Sequence, residues 1–131
     1  MIVLDASLAL GWFLEPSSRS AAALRYVEDH GGMVPGNFQS EVVHGLLRAE
    51  RRDGIDPRTC AAVLTALLDL SLQTQSPDPM HIIKVAREHS LTGYDAAYLA
   101  VAIEHSLPLA TADAALERAA LATNLLWEDP T

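Results

Sequence analysis

With 131 residues, 50% hydrophobic and 20% charged, the chain has the composition of a folded α/β protein, not a disordered one, and is long enough to bury a core without staples. Its formal net charge of -8 excludes binding nucleic acid by bulk positive charge, because non-specific affinity for phosphate comes from Lys and Arg. One cysteine, Cys60, excludes a disulfide framework and a cysteine-rich zinc site; with no basic leader and no apolar run near the roughly twenty residues of a membrane span, a cytoplasmic protein is expected.

Short apolar runs alternate with helical periodicity. Ile2-Val3-Leu4 reads as a strand bounded by Asp5, and residues 6–14 as a helix stopped near Pro16. A second helix opens on a Ser17 or Ser18 cap, carries Ala22, Leu24 and Val27, and ends at Gly31-Gly32. Met33-Val34-Pro35 is the second strand. Residues 38–52 set Phe38, Val42, Val43, Leu46 and Leu47 on one helical arc, which Gly54 ends. Asp56 caps the next helix, with Pro57 in its first turn, and residues 59–72 are rich in Leu and Ala on most faces. Cys60 lies in this pattern and is expected in the core. Residues 72–76 form a weak third strand, and Pro77-Asp78-Pro79 separates it from a helix over 80–89. From Ala96 to Ile103 only the Tyr98 hydroxyl is polar, so this helix belongs inside the molecule. Residues 107–111 make a fourth strand, 114–121 a last helix, and Leu125-Leu126-Trp127 a fifth strand. The alternation predicts a single domain over 1–131: an α/β, three-layer α/β/α arrangement around a central parallel sheet of about five short strands, with the ligand site at their carboxyl ends.

Two acids fall at those ends, and two more on helices are placed to point into the same cleft. Asp5 directly follows the first strand, and Asp113 comes two residues after Thr111 at the end of the fourth. Asp95 opens the buried helix. Glu41 lies off its helix's apolar arc, on the flank shared with Gly45, Arg48 and Arg52. Where strand order reverses in a right-handed parallel sheet, the ends of the first and fourth strands become neighbours. Taken singly, the aspartates read as helix N-caps and Glu41 as a solvated residue. Gathered together they would repel and take up protons unless cations neutralised them. An all-oxygen set suits Mg²⁺ or Mn²⁺ and not zinc. Two such ions about 3.5–4 Å apart can activate a water and stabilise a leaving oxygen in phosphodiester cleavage. His30, His81, His89 and His105 show no ligand spacing.

The ordered set Val3-Leu4-Asp5-Ala6-Ser7 with Trp12-Phe13-Leu14, then Glu41, then Leu91-Thr92-Gly93-Tyr94-Asp95-Ala96-Ala97-Tyr98, then Leu109-Ala110-Thr111-Ala112-Asp113 covers nearly the whole chain. It resembles the PIN-domain ribonucleases of the VapC type, the toxin halves of bacterial and archaeal toxin–antitoxin pairs. The resemblance implies that Asp5, Glu41, Asp95 and Asp113 are the catalytic, metal-binding acids and that Ser7 and Thr111 are supporting hydroxyls. It further implies Mg²⁺- or Mn²⁺-dependent RNA cleavage, a homodimer, and a cognate antitoxin that lays a segment in an apolar groove and reaches the acids. The expected reaction is in-line attack of a metal-activated water on an RNA phosphodiester, leaving a 5′ phosphate without a covalent nucleophile. Two positions depart from the pattern. Many relatives carry Asn three residues after the glutamate, where this chain has His44, and a basic residue after the last aspartate, where it has Ala114 and Ala115. Neither departure removes an acid, so both bear on substrate binding.

Arg48, Arg51 and Arg52 are the densest basic group. Arg48 and Arg52, with His44, are candidates to meet RNA phosphates, although Glu50 and Asp53 among them also fit an ordinary charged helix face. Leu8, Trp12, Phe13 and the leucines of 59–72 read as core, or as a dimer face or antitoxin groove. A competing class is a catalytically silent PIN-like interaction module whose acidic face binds a basic partner. A phosphoacceptor receiver domain wants a lysine late in the chain, and the only lysine is Lys84; an Asp-x-Asp phosphatase is disfavoured because Ala6-Ser7 follow Asp5.

Overall fold

The computed structural model describes residues 1–130. Strand β1 (Ile2–Leu4) has no exposed surface, because it lies inside the sheet with helices over both faces. Its neighbours are β2 (Gly32–Pro35) on one side and β4 (Leu109–Ala110) on the other, and β3 (Leu72–Gln75) pairs with β2 at an edge. All pairings are parallel, with Val3 opposite both Met33 and Leu109, and Leu4 opposite Ala110. The order β3-β2-β1-β4 means that the chain builds outward in one direction and then returns to the other side of β1. The reversal lies between β1 and β4, where an open parallel sheet forms its crevice.

The helices are α1 (Ala6–Leu14), α2 (Ser18–His30), α3 (Phe38–Asp53), α4 (Pro57–Leu68), α5 (Pro79–His89), α6 (Gly93–His105) and α7 (Ala114–Ala122). Their ends follow local chemistry. Ser17 and Ser20 form a reciprocal capping box at α2. Gly54 ends α3 with φ of 68°, a left-handed conformation glycine adopts freely. Asp56 caps α4 through the Arg58 N–H, with Pro57 at its start. Helix α6 buries every residue from Ala96 to Ala102 and packs over β1, β2 and β4; its alanines let the backbone approach the sheet closely. On the other face, a side chain at Gly45 of α3 would run into Leu10 of α1, so glycine permits that crossing.

Two sequence expectations are corrected. The helical pattern over 59–72 stops at Leu68, because the chain turns at Asp69–Ser71 and Leu72 is taken into β3 opposite Gly32. The sheet has four strands among the described residues, not five. Pro108 lacks an N–H and β4 is only two residues long, so the segment beside it makes an isolated parallel bridge, Leu109 to Leu126, and goes no further. No helix of the described residues is long and apolar enough to cross a membrane.

Candidate active site

Asp5 stands at the carboxyl end of β1, where its N–H bonds the carbonyl of Ala110 in β4 and its own carbonyl opens α1. Although it occupies the cap position of α1, its side chain makes no cap bond. Its carboxylate is 3% exposed and accepts the Ser7 hydroxyl at 2.5 Å and the Thr111 hydroxyl at 2.7 Å, both on Oδ2. Each hydroxyl oxygen in turn accepts a backbone N–H, Ser7 from Ala112 at 3.3 Å and Thr111 from Asp113 at 3.0 Å. With an amide proton already on the oxygen, the single hydroxyl proton is directed at Asp5. Burial raises the Asp5 pKa, the two hydroxyls lower it, and repulsion from Glu41 and Asp113 raises it again; the net shift is upward.

Asp95 is the third residue of α6, and the cap there is Thr92, whose hydroxyl accepts the Asp95 N–H at 3.1 Å. The cap bond of α6 is therefore supplied by Thr92 and not by the Asp95 carboxylate. Partial burial, then repulsion from Asp113 and Asp5, push it up to about 6 against a smaller opposing bond to Thr92. Asp113 does cap α7, accepting the Leu116 N–H at 2.9 Å. The N-cap reading thus describes Asp113 and not Asp5 or Asp95.

Glu41, half-buried in the first turn of α3, accepts the Asn37 amide at 2.6 Å and the Tyr98 phenol at 2.7 Å, both on Oε2. Burial raises its pKa, these two donors oppose the shift, and repulsion from Asp95 adds to it. Burial and the Glu41 carboxylate hold the Tyr98 phenol well above its ordinary range, so Tyr98 stays a donor. Sequence reasoning missed both partners. Tyr98 had a signal, as the lone polar group on an apolar helix, because a buried phenol needs a partner. Asn37, one helical turn before Glu41, had a weaker one.

Repulsion therefore couples Asp5 to Glu41, Asp95 and Asp113, and couples Asp95 to Glu41 and Asp113. The four acids share one rim, although among the described residues no three His, Cys, Asp or Glu side chains are already arranged around a common ion position. Arg48 and Arg52 line a groove of about 620 Å³ between α1 and the end of α3, with Ser7 and Leu10 on its other wall. Arg48, Arg51 and Arg52 are exposed and make no ion pair among the described residues, whereas Arg19 pairs with Glu117 at 3.3 Å. His44 is exposed and lines a separate cavity beside Glu41. Leu8, Val63 and Leu67 are buried, and Trp12 and Phe13 pack edge to face at 4.6 Å, partly covered. Cys60 is half-buried against the Leu46 carbonyl.

The family model for the PIN domain matches residues 2–121. Among solved structures, the chain is similar to PAE2754 from Pyrobaculum aerophilum at 23% identity and a TM-score of 0.73, covering 90% of this chain and 78% of that one. It is also similar to VapC20 of Mycobacterium tuberculosis, described as a toxin that cleaves the sarcin–ricin loop, at 16% identity and a TM-score of 0.64, covering 99% of this chain and 100% of that one. At these identities the likeness is one of fold. No curated protein matches the chain.

Proposed function

Because this chain belongs to the PIN domain family, we propose that it is a metal-dependent endoribonuclease, the toxin of a type II toxin–antitoxin pair of the VapC type. One observation carries the reading: four carboxylates, Asp5 buried and Glu41, Asp95 and Asp113 partly buried, are linked by repulsion, and three of them, Asp5, Glu41 and Asp95, are held above their ordinary range. Such an arrangement is destabilising for a bare protein at neutral pH and suits a partner that brings positive charge. The donor set is entirely oxygen, which fits a hard divalent cation and not zinc.

Asp5, Glu41, Asp95 and Asp113 would hold Mg²⁺ or Mn²⁺, which when bound supplies charge neutralisation and an activated water for phosphodiester cleavage. The protein's own contribution is to fix the carboxylates. Ser7 and Thr111 engage Oδ2 of Asp5, and Tyr98 and Asn37 engage Oε2 of Glu41, so each acid keeps its other oxygen for a cation. The bond to Leu116 anchors one oxygen of Asp113 in the same way. Arg48 and Arg52, across the groove from Ser7, are suited to phosphates on the chain leaving the site. No side chain is required as a covalent nucleophile, and the product carries a 5′ phosphate.

The proposed partners are RNA, a cognate antitoxin and a second copy of the chain, in the cytoplasm. The description of VapC20 as a toxin supports the pairing, and exposed Val43, Leu47 and Leu68 offer apolar surface for it. The test is incubation of total RNA with the partner-free protein in Mg²⁺, Mn²⁺ or EDTA, beside Asp5→Asn. Discrete fragments that need metal and vanish in the variant are expected. Intact RNA with metal binding retained would overturn the nuclease and favour a silent interaction module.

A further inference from the structure

Beside the acids, a cavity of about 460 Å³ is lined by Asn37, Ser40, Glu41, His44 and Tyr94. Tyr94 is 68% exposed and is the one aromatic among the large exposed hydrophobics of the described residues. Its neighbour in sequence is Asp95, and its carbonyl accepts the Asn37 amide at 3.5 Å, which ties the start of α6 to the start of α3 across this opening. Tyr98, four residues on, faces inward and is fully buried, whereas most of Tyr94 is open to solvent. His44 offers a second planar ring, and Asn37 and Ser40 offer polar groups at the cavity's edge. His44 also opens onto a shallow surface formed with Arg48, Arg51 and Arg52. Cationic track, flat rings, polar edge and acids thus follow one another along one face.

We propose that this cavity is a nucleobase subsite, in which Tyr94 stacks an unpaired base next to the scissile phosphate while Asn37, Ser40 and His44 meet its edge. The inference rests on the ribonuclease reading and narrows its substrate to RNA whose base at that position is splayed out of a helix. A base in a duplex is stacked on its neighbours and presents no free face to a ring, whereas single-stranded segments are recognised by such stacking. A cavity of this size lies within the range of ordinary small-ligand sites. His44, at the edge of the cavity, thereby bears on which base is accepted.

The test uses the full chain carrying Asp5→Asn, the variant expected to leave RNA uncut, in Mg²⁺, with a fluorescein-labelled 12-nucleotide RNA read by anisotropy. Probes are the single strand, its duplex, and a set with one abasic nucleotide at each position in turn. Tyr94→Ala is expected to weaken single-strand binding about 10-fold, the scale of one base–aromatic stack, with duplex binding unchanged. Tyr94→Phe, which keeps the ring, retains the affinity. One abasic position should lose the same factor with Tyr94 present and nothing further in Tyr94→Ala, since two changes that remove the same stack do not add. Losses that add, or that are equal for single strand and duplex, overturn the subsite. If the unsubstituted protein cuts RNA but Tyr94→Ala binds unchanged, the subsite alone fails. If it neither binds nor cuts RNA, the ribonuclease reading fails and the subsite with it.

Discussion

Thr111 is the most constrained polar residue of the site. Fully buried, it gives its proton to Asp5 and takes one from the Asp113 N–H, so it links the ends of β1 and β4 through one oxygen. Replacing it with Val keeps the shape and removes both bonds. Thr111→Val should lose about 1–3 kcal/mol in urea unfolding, because a buried carboxylate and an amide are each left one partner short. Asp95 acts in the opposite sense. Its folded-state pKa of about 6 lies above the ordinary 3.8, so the neutral form is the one folding favours. The contribution to stability is full below the unfolded value and is lost as pH rises through about 6. The raised values of Asp5 and Glu41 share that sign. Metal-free protein is therefore expected to lose stability as pH rises from about 4 to about 7. Asp95→Asn should flatten that slope and raise the neutral-pH Tm by about 4 °C, while abolishing cleavage. Mg²⁺ should raise the wild-type Tm more at about pH 7 than at about pH 5, because only ionised carboxylates bind it. A melting curve for each protein at both pH values checks all three.

Among the elements, α6 does most to hold the site's parts in register. It spans the sheet, carries Asp95 near its start and Tyr98 one turn later, and packs against α5 and α7 as well. Its close approach depends on small side chains. Ala100 has no exposed surface, so Ala100→Leu must push apart packed layers. The expected loss is about 1–3 kcal/mol, read as a lower urea midpoint with the slope unchanged. Leu at exposed Ala122, at the end of α7, is the control and should stay within about 0.5 kcal/mol of wild type. The N-terminus of α6 makes a related point. Because Thr92 caps the helix, Asp95 has no cap duty and its charge faces the other acids.

The whole molecule carries a net charge of -8, so any RNA must approach against its field. Arg48, Arg51 and Arg52 concentrate a third of its nine Lys and Arg residues within five positions of α3, and they are without acidic partners among the described residues. With Glu50 and Asp53 among them, these arginines mark the place where a polyanion would meet the least repulsion. Replacing Arg48 and Arg52 together with Ala should make the dependence of log kcat/KM on log salt shallower by about 1.4, or about 0.7 for each single-strand phosphate no longer neutralised. An unchanged slope in RNA cleavage at several salt concentrations would remove both residues from the substrate path.

The signals that were legible in the sequence are local ones. Ser17, Gly54, Asp56-Pro57 and Asp78-Pro79 set helix ends through bonds to residues a few positions away, so their meaning survives without tertiary context. The apolar run of α6 announced a buried helix, and Asp5 and Asp113 stood where strands give way to helices. Tertiary structure decided what depends on distant partners. The fifth strand failed because its neighbour β4 is two residues long, and the helix over 59–72 was shortened because β2 claims Leu72. Thr92 took the cap that Asp95 also suited. The bond from Tyr98 to Glu41 spans 57 positions of chain, and that from Thr111 to Asp5 spans 106. No periodicity encodes such pairs: a sequence specifies which side chains need partners, and only packing determines which partners lie within reach.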